Sequence, residues 1–592
     1  MGSKFGARYR FFFLLLFSAA AAAGIYYYYA NSTPRPVNVI LITVDTFRPD
    51  HLGCTGYKRN TTPFLDTIAQ KSTVFSSVIS TAPWTCPAMN SIFTGMYPCL
   101  HGVQSRGHSL LVNTETIFDV FRRYGYRVPN ISYLTNLQNF ANLGLDEKDK
   151  FYPAKKSRTG DELFTWLNNN HNTAFLVWFH YRFLHLPYNP SEEYNVFVDN
   201  QTFALTHSAP LEKVMSDTII PWKTTVFSPK ERDAVVALYD GQLREFDRFT
   251  QRLYDTMTHL NLHSNTVLAI TADHGEELFE HDYIGHASTA VHATMYDEVL
   301  KIPFLIYAPG CSSGSRIIET QVSQIDIMPT LLDIAGLDIP DSVQGRSLRP
   351  FLTGKKNIPV LPAFSESNMG GYQSTPEHEK TTLRSIRTGE WKLIMTNSVQ
   401  ECRYQLYDLI NDPGETTNLY SPGNDTAAGL RKSLTDMFAD MQTQRIALLA
   451  REHTSFPAAE IPDGSILETP RILQPRNNDV IRVNDDNLHI ALEWTGDRSH
   501  TYVIEYDVGE GFKNLKGKIP VQGIRKDFGP LPRDAWEPLP YWNPYRFRVA
   551  PYGRSDLWST WVVFYIRQSP AGVSLKDASG SRHAQQQPDR LQ

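Results

Sequence analysis

One stretch organises the chain: Thr81-Ala82-Pro83-Trp84-Thr85-Cys86-Pro87-Ala88-Met89-Asn90-Ser91-Ile92-Phe93-Thr94-Gly95. Pro87 suits the first turn of a helix, where a missing N–H costs nothing, and the residues after it are compatible with a helix. Thr85 therefore lies just before a predicted helix, where free N–H groups and the helix dipole favour anions. Its hydroxyl either caps the helix or acts as a nucleophile on a sulfate or phosphate ester.

The composition is typical of a globular protein, and its length of 592 residues predicts more than one domain. The net charge of −5 gives no basic signal, so we expect no nucleic-acid partner. The five cysteines are few and odd in number, and their spacing indicates neither a disulfide framework nor a thiolate metal site.

The N-terminus has the pattern of a signal anchor or a signal peptide. Three basic residues in the first ten positions precede an apolar run at 11–25, which tyrosines extend to 29. The run is about long enough to span a bilayer, although small residues at 18–24 also permit cleavage. We favour an anchor over residues 1–36, which makes the membrane a partner. The rest of the chain is then periplasmic, lumenal or extracellular, and secreted if the segment is cleaved.

Two apolar runs, at 37–44 and 265–271, lead into residues that can bind a metal. Asp45 follows the first run, and the second leads to Asp273-His274-Gly275. Near-continuous apolar runs are typical of central parallel strands, and α/β folds place ligands at the carboxyl ends of such strands. A carboxylate and an imidazole together bind a divalent cation. The pattern predicts an α/β fold with a metal site, although Asp45 alone also suits a turn that caps the next element.

Histidines follow the third apolar run and the second metal segment. His180 and His185 come after the run at 174–179, next to a Pro-Tyr turn. His286 and His292 lie in the loop after the Asp-His-Gly segment. Each group is either structural or functional, and His292 either serves a substrate or second metal or is a solvated loop residue.

In order along the chain, these motifs resemble those of the sulfatase family, in the alkaline-phosphatase superfamily. The family's nucleophile segment reads Cys/Ser-x-Pro-Ser-Arg, and Pro87 matches its proline. Thr85 then occupies the nucleophile position, Cys86 is one residue out of register, and Ala88 and Met89 replace Ser-Arg. Sulfatases oxidise the nucleophile to formylglycine, which a threonine cannot form. A threonine there is similar to the phosphodiesterase and phosphotransferase branches, which implies a preference for phosphoesters.

The resemblance implies that Asp45, Asp273 and His274 hold a divalent cation. Thr46 replaces the second Asp of the family's first metal segment, so one family ligand is missing. Calcium, magnesium, manganese and zinc are not distinguished by this pattern. The metal would lower the pKa of the Thr85 hydroxyl and neutralise charge on an anionic ester substrate.

The same resemblance implies contacts to the substrate. His185 is assigned to the leaving group, and His292 lies where many sulfatases have a substrate-contacting lysine; both join the nucleophile in the predicted catalytic set. His180, His286 and Lys301 are further predicted substrate contacts. The Lys-Trp-His segment that many sulfatases also use is absent from the sequence.

The resemblance predicts an alkaline-phosphatase-like sandwich with a central, mostly parallel sheet and a small C-terminal antiparallel subdomain. After it the composition changes to Pro, Gly and polar residues, and then to alternating strands that look like a fibronectin type III β-sandwich, which suggests a glycan or protein contact. The predicted boundaries are an anchor at 1–36, a catalytic domain at 37–455, a linker at 456–475, a β-sandwich at 476–568 and a disordered tail at 569–592.

The sequence therefore predicts a metal-dependent ester hydrolase with Thr85 as nucleophile. Two alternatives stay open. A phosphoryl transferase would replace water with an acceptor hydroxyl on an extracytoplasmic lipid or glycan. A catalytically weak binding protein of sulfatase fold is favoured by Met89, by Thr46 and by the absent Lys-Trp-His segment.

Overall fold

The computed structural model describes residues 36–110, 114–140, 142–146, 158–198, 207–311, 315–355 and 358–455. In the C-terminal region it describes 472–474, 479–483, 487–495, 501–508, 515–522, 525–532, 544–551 and 562–568. One compact unit ends at His453, and a second begins at Thr454. The predicted tail, the predicted linker outside 472–474 and the predicted anchor up to residue 35 lie outside the described residues.

The first unit is built on a seven-stranded sheet and a short hairpin. Its strands are β1 (Asn38–Val44), β2 (Thr73–Ile79), β3 (Leu176–Tyr181), β4 (Thr266–Ala272), β5 (Glu277–Leu278), β6 (Ile284–Gly285), β7 (Lys301–Tyr307), β8 (Arg316–Ile318) and β9 (Val322–Ser323). Strands β5 and β6 pair only with each other, and the sheet order is β3-β1-β4-β7-β2-β8, with β9 paired to β2. Strands β1 and β4 are fully buried, as their apolar runs predicted.

The α/β class is confirmed, and the sheet is mixed: it is mostly parallel, as predicted, but β7 runs against the other six strands. Strand β1 is parallel to β3 and β4, whereas β7 runs antiparallel to both β4 and β2. The physical reason is the path of the loop after β4. This loop, with β5 and β6, stays at the carboxyl edge of β4, so β7 starts at that edge and must run back.

Thirteen α-helices occur among the described residues. They are α1 (Pro63–Ala69), α2 (Thr85–Thr94), α3 (Pro98–His101), α4 (Ile117–Arg123), α5 (Asp161–Asn170), α6 (Ala209–Ser216), α7 (Pro229–His259), α8 (Ala287–Ala290), α9 (Asp297–Leu300), α10 (Ile327–Ala335), α11 (Arg349–Leu352), α12 (Pro376–Glu379) and α13 (Asp425–Ser455). Short 3-10 helices cover Pro49–His51, Gly53–Thr55, Tyr133–Asn136, Gln138–Phe140, Glu192–Tyr194, Gln324–Asp326 and Gly371–Gln373. None of the described helices has both the length and the apolar character that a bilayer span requires.

Helix α2 is held in the core by its own sequence. All its residues after Thr85 are buried, and the Phe93 ring packs edge-on against Trp178 of β3 with centroids 4.7 Å apart. Gly95 ends the helix with φ of +63°, a left-handed conformation that favours glycine. The N-terminus of α2 is thereby fixed at the edge of the sheet where β1 and β4 end.

A second, smaller sheet follows in the first unit. It is a four-stranded antiparallel meander of β10 (Ala363–Asn368), β11 (Thr382–Arg387), β12 (Trp391–Asn397) and β13 (Cys402–Asp408). Its apolar face shares a separate hydrophobic cluster with the first half of α13, where Leu393 and Phe438 are buried. This sheet occupies the position along the chain where a small antiparallel subdomain was predicted.

The second unit contains two further sheets. Its described strands are β14 (Ile472–Gln474), β15 (Asp479–Val483), β16 (Asn487–Trp494), β17 (Thr501–Val508), β18 (Leu515–Gln522), β19 (Arg525–Pro532), β20 (Pro544–Pro551) and β21 (Val562–Gln568). One sheet has the order β14-β16-β19 and the other β15-β21-β20-β17-β18. All pairings are antiparallel except β15 with β21.

Candidate active site

The carboxyl ends of β1, β3 and β4 bring three predicted site residues together. Asp45 follows β1, Asp273 follows β4, and His180 lies in β3 opposite Thr43 of β1. All three are buried, and their ligand atoms lie within 4.8 Å of one another. His180 Nε2 is 3.6 Å from Asp45 Oδ2. The register of β1 with β3 therefore adds an imidazole to the carboxylate pair that the sequence predicted as metal ligands.

Unpartnered atoms mark this cluster as a ligand site. Asp45 Oδ1, Asp273 Oδ2 and His180 Nε2 are buried and have no hydrogen-bond partner. Leaving such groups unpaired costs about 1–3 kcal/mol each, and more for charged groups. Two carboxylates and an imidazole facing one point are a donor set that suits a divalent cation, so the residues fit the metal that the sequence resemblance implies.

The backbone orients the Asp273 carboxylate. Its Oδ1 accepts hydrogen bonds from the N–H groups of His274 at 2.8 Å and Thr46 at 3.3 Å, which leaves Oδ2 free. Thr46 has φ of +55°, which is unusual for a β-branched residue. The Tyr239 hydroxyl donates to the Thr46 carbonyl at 2.7 Å and supports this conformation. Strain held in this way next to a ligand site is a common feature of functional sites.

His274 completes the cluster. Its Nδ1 is 2.8 Å from the Gly275 carbonyl oxygen, a contact in which the nitrogen must donate. The lone pair is then on Nε2, which lies 3.5 Å from Asp273 Oδ2 and 3.7 Å from Asp45 Oδ1. A cation bound by both carboxylates is therefore within reach of this nitrogen.

Electrostatics separate the two carboxylates. Burial raises the pKa of Asp45, but His185, His180 and His274 outweigh it and hold that pKa well below its usual value. Burial raises the pKa of Asp273, and His274 offsets this only in part. Burial opposes the charged form of His274, but the Asp273 and Asp45 carboxylates together raise its pKa. The carboxylates therefore attract positive charge into the site.

Thr85 is the first residue of α2 and faces this cluster. Its Oγ1 lies 3.4 Å from His274 Nε2, and the side chain is half-buried. Trp84, and not Thr85, takes the N-cap position of the helix. The hydroxyl therefore combines a helix N-terminus with a neighbouring metal-ligand set, the setting in which an alcohol can act as a nucleophile.

The neighbouring Cys86 has a different environment. The side chain is only 2% exposed. Burial, and then the Asp273 and Asp45 carboxylates, raise the pKa of its thiol far above the usual value. The thiolate is the reactive form of cysteine, so this position does not favour a reactive sulfur.

His185 and His286 lie on the other side of His274. The His286 ring centroid is 4.4 Å from that of His274 and 5.1 Å from that of His185. His286 Nδ1 is 2.8 Å from Glu276 Oε1, and the Tyr188 hydroxyl donates to Glu276 Oε2 at 2.7 Å. Burial raises the pKa of Glu276 to about 7. The structure thus places His286 between a buried carboxyl group and His274, and His185 approaches the site through its ring contact with His286.

The structure places two predicted site residues elsewhere. The His292 ring stacks on Trp222 with centroids 4.0 Å apart and faces the edge of Tyr283 at 6.1 Å. Burial, followed by the charge of Lys223, lowers the pKa of His292 to about 4. Lys301 begins β7 and lines a cavity of about 600 Å³. Neither environment includes Thr85 or the metal-ligand carboxylates.

Three residues near the site have no role in the sequence prediction. Tyr133 lies with its ring 6.2 Å from that of His180, and the Arg182 guanidinium lies 5.3 Å from the Tyr133 ring centroid. Glu276 directly follows the Asp-His-Gly segment, and Arg182 follows His180 by two positions. Their closeness to motif residues was the available signal, but only the packing shows that they approach the site.

Known proteins are similar to the part of the chain that contains this site. A family model described as Sulfatase matches residues 37–337, and one described as N-sulphoglucosamine sulphohydrolase, C-terminal, matches residues 291–444. Arylsulfatase K of Canis lupus familiaris is 25% identical over 441 residues, which is 66% of this chain and 80% of that protein. Arylsulfatase K of Homo sapiens is 26% identical, over 64% of this chain and 78% of that protein.

Solved structures share the fold. A phosphonate monoester hydrolase of Agrobacterium radiobacter superposes with a TM-score of 0.55 at 21% identity, over 69% of this chain and 96% of that one. A protein solved in complex with its substrate D-glucosamine-2-N,6-O-disulfate superposes with a TM-score of 0.56 at 18% identity, over 70% of this chain and 99% of that one. At these identities the likeness establishes the fold alone.

Proposed function

The chain belongs to the sulfatase family of ester hydrolases, and we propose that it hydrolyses phosphoesters in preference to sulfate esters, with Thr85 as its nucleophile. The observation that carries the proposal is the position of Thr85 Oγ1, 3.4 Å from His274 Nε2 at the N-terminus of α2. Two carboxylates with unpartnered oxygens lie beside it. This is the arrangement that activates an alcohol toward an anionic ester.

Enzymes of this family use a divalent metal, and the chain offers four ligands for one. We assign Asp45, Asp273 and His274 as ligands and add His180, whose Nε2 belongs to the same cluster. The metal supplies Lewis-acid chemistry that lowers the pKa of a neighbouring hydroxyl and neutralises the ester's charge. Imidazole ligands favour zinc over calcium or magnesium.

His185 is the proposed proton donor to the leaving group. Its Nδ1 donates to the Leu186 carbonyl at 2.6 Å, so Nε2 is the nitrogen that exchanges a proton. Burial lowers the pKa of His185, the Asp45 carboxylate opposes this shift, and the charge of His286 adds to the lowering. His286, fixed by Glu276, sets the position of this ring.

In the first step Thr85 Oγ attacks phosphorus, and the bond to the leaving oxygen breaks. The hydroxyl proton of Thr85 goes to solvent, and His185 protonates the leaving oxygen. In the second step water attacks the threonine ester, gives one proton back to His185 and releases the phosphate. Thr85 regains a proton from solvent, so the net reaction consumes one water per ester.

The preference for phosphoesters rests on the nucleophile. A threonine hydroxyl can be phosphorylated or sulfated, but it cannot become the aldehyde that sulfatases form from cysteine or serine. The thiol of the adjacent residue, Cys86, is buried, and its raised pKa keeps it protonated. The fold does not choose between the esters, because the structures that share it include a phosphonate monoester hydrolase and a protein with a sulfated sugar.

Variants of adjacent residues test the nucleophile directly. Thr85→Ala should abolish turnover of aryl phosphate diesters and aryl phosphates, Thr85→Ser should retain part of it, and Cys86→Ala should keep most. Activity on aryl sulfates, with the same metals added, should be lower than on the phosphoesters. Mass spectrometry of the peptide that contains both residues should find no aldehyde. An aldehyde at Cys86, or activity lost in Cys86→Ala but kept in Thr85→Ala, would contradict the proposal.

We also propose that residues 1–36 anchor the protein and that its catalytic domain, 37–455, faces away from the cytoplasm. The residues after the linker, 476–568, are proposed to form a fibronectin type III-like sandwich that contacts a glycan or protein. Its two sheets, and the packing of Trp494 against Tyr502 with ring centroids 5.8 Å apart, support this. Protease added to intact cells should cleave the catalytic domain, and full protection there would contradict the orientation.

A further inference from the structure

Three side chains of types that can bind a metal come together in the loop between β4 and β7, outside the set of residues assigned to the reaction. Glu277 lies in β5, His281 in the turn after it, and Glu298 in α9; we call them the Glu277 cluster. Their ligand atoms lie within 4.8 Å of one another, and His281 Nε2 is 3.4 Å from Glu298 Oε2. Residues distant in the loop are thus brought to one point.

The facing atoms of this cluster have no hydrogen-bond partner. Glu277 Oε2, His281 Nε2 and Glu298 Oε2 are all buried and unpartnered, and Glu277 is 0% exposed. An ion pair of His281 with Glu298 would still leave the Glu277 oxygen unsatisfied, and an unpaired buried charge is costly. A bound cation would satisfy all three atoms at once.

The side chains are also held in place from outside the cluster. The Thr294 hydroxyl is 3.3 Å from Glu277 Oε1, and the His281 ring stacks on Tyr296 with centroids 3.6 Å apart. Such outer contacts orient metal ligands and raise affinity. Glu298 also lines a cavity of about 600 Å³, which gives a small ion a path to the cluster.

The nearby cation does not neutralise the cluster. Arg48 donates to both Asp50 and Glu280 at 2.6 Å, so its charge is already paired. Burial, and then the Glu298 and Glu280 carboxylates, raise the pKa of Glu277 well above its usual value although Arg48 opposes them. Among the described residues, no lysine or arginine forms an ion pair with Glu277 or Glu298, and their facing oxygens have no hydrogen-bond partner.

We propose that Glu277, His281 and Glu298 bind a second divalent cation, of the zinc or manganese class, separate from the metal beside Thr85. One imidazole and two carboxylates suit these ions, and water can complete the coordination. The cation joins β5 to α9 and so stabilises the loop that carries His286. Gly275 supports this close approach, because a Cβ there would lie 2.0 Å from the Glu298 carbonyl oxygen.

Counting bound metal tests the proposal on the full chain. The protein is stripped with a chelator, loaded with Zn²⁺ and desalted, and zinc is measured per chain. Glu277→Gln should lower the count by one ion, whereas Glu319→Gln should not, because this exposed glutamate lines the same cavity outside the cluster. Asp273→Asn should remove the other ion, so loss of one site is distinguished from loss of the other.

A second measurement needs no variant. Crystals of the wild-type protein grown with Zn²⁺ should give an anomalous peak at the zinc edge between Glu277 Oε2, His281 Nε2 and Glu298 Oε2. A zinc count that Glu277→Gln leaves unchanged, or no anomalous peak at this point in saturating zinc, overturns the second site. Neither result bears on the role proposed for Thr85, which the activity of its own variants decides.

Discussion

Two buried groups of charged residues in the first unit differ in how their charges are balanced. In one, Arg387 and Lys392 bind the Asp297 carboxylate at 2.7 and 2.5 Å, and Lys392 also binds Glu415 at 2.8 Å. In the other, the ion-pair partners of Asp45 and Asp273 among the described residues are histidines, and Asp45 Oδ1 and Asp273 Oδ2 have no hydrogen-bond partner. The first group thus contains lysine and arginine, whereas the described side chains that pair with the second are imidazoles.

This difference indicates different roles for similar residues. The Lys392 group joins α9 to β11, β12 and the loop at Glu415, and its balanced charges serve the fold. One oxygen there, Glu415 Oε1, is also unpartnered, so a single open atom does not define a ligand site. A ligand site is indicated instead by several unpartnered atoms that face one point with no lysine or arginine beside them. Removing a charge should therefore damage activity in the Asp273 group and stability in the Lys392 group.

The largest expected effect is on turnover in Asp273→Asn. We expect phosphoester hydrolysis to fall by more than about a thousandfold, because a metal supplies several kcal/mol of charge stabilisation in such reactions. The metal-free protein should not lose stability, because the change removes one of two carboxylates held close together. Metal content, turnover and urea unfolding should be measured together.

An exposed aspartate on α7 provides the matched control. Asp255→Asn makes the same chemical change away from both groups, and should leave turnover, metal content and unfolding unchanged. If Asp273→Asn kept its metal, or if its metal-free form were much less stable than the wild type, the Asp273 group would be structural. The proposed difference between the Asp273 group and the Lys392 group would then be wrong.

The next effect is on stability in Lys392→Met. This change leaves Asp297 and Glu415 buried beside Arg387 alone, and breaking a buried ion pair in this way costs about 3–5 kcal/mol. Lys380→Met is the matched control, since its partner Glu377 is exposed and such pairs contribute about 0–1 kcal/mol. Urea unfolding of the two variants should differ clearly, and equal stabilities would show that burial of the Lys392 pairs has no consequence.

Much of this arrangement could be predicted from local pattern. The α/β class follows from apolar runs that end in Asp45 and Asp273, because the ends of buried strands meet at one edge. The family was implied by the resemblance of the motifs, in their order along the chain, to those of sulfatases. The direction of β7 could not be predicted in the same way. It depends on the path of the loop after β4, which the apolar pattern of a strand does not record.

Other features depend on contacts between distant segments. His180 joins the metal-ligand cluster because β3 pairs with β1 in one register, with His180 opposite Thr43. The Glu277 cluster needs the close approach of α9 to the segment at Gly275. Neither register nor approach can be derived from spacing along the chain. The assignments of Thr85, His185 and the metal ligands stay predictions until the variants above are measured.

A smaller effect, the stabilisation of the folded protein by added zinc, should also distinguish the two groups. A divalent metal at one hundred times its dissociation constant stabilises a one-site protein by about 2.7 kcal/mol. We expect zinc to raise the free energy of unfolding more in the wild type than in Asp273→Asn, and the difference measures this site alone. Lys392→Met should keep the zinc response, because this change leaves the side chains of the Asp273 group intact. An equal response in wild type and Asp273→Asn would contradict the site.

The smallest expected effect concerns His101, a buried titratable group whose hydrogen bonds are all made. Its Nδ1 accepts from the Val103 N–H at 3.2 Å, and its Nε2 lies 3.1 Å from Ser91 Oγ. Burial, with the charge of Arg445 adding to it, lowers the pKa of His101 to about 3. The folded state therefore holds a neutral ring, and protonation would break the bond from Val103.

The sign of the pH effect follows from this lowered pKa. Above the usual histidine pKa of about 6.5 both states are neutral, and as the pH falls below it the unfolded chain binds the proton first. His101 should thus cost the protein about 2 kcal/mol of stability at pH 5 relative to neutral pH. His101→Gln should flatten the dependence of urea unfolding on pH between about 6.5 and 5, while His259→Asn, at an exposed histidine, should not. If the free energy of unfolding of His101→Gln depended on pH as in the wild type, the pKa of His101 would not be lowered in the folded protein. A buried histidine with both ring nitrogens hydrogen-bonded would then not be evidence of a structural role.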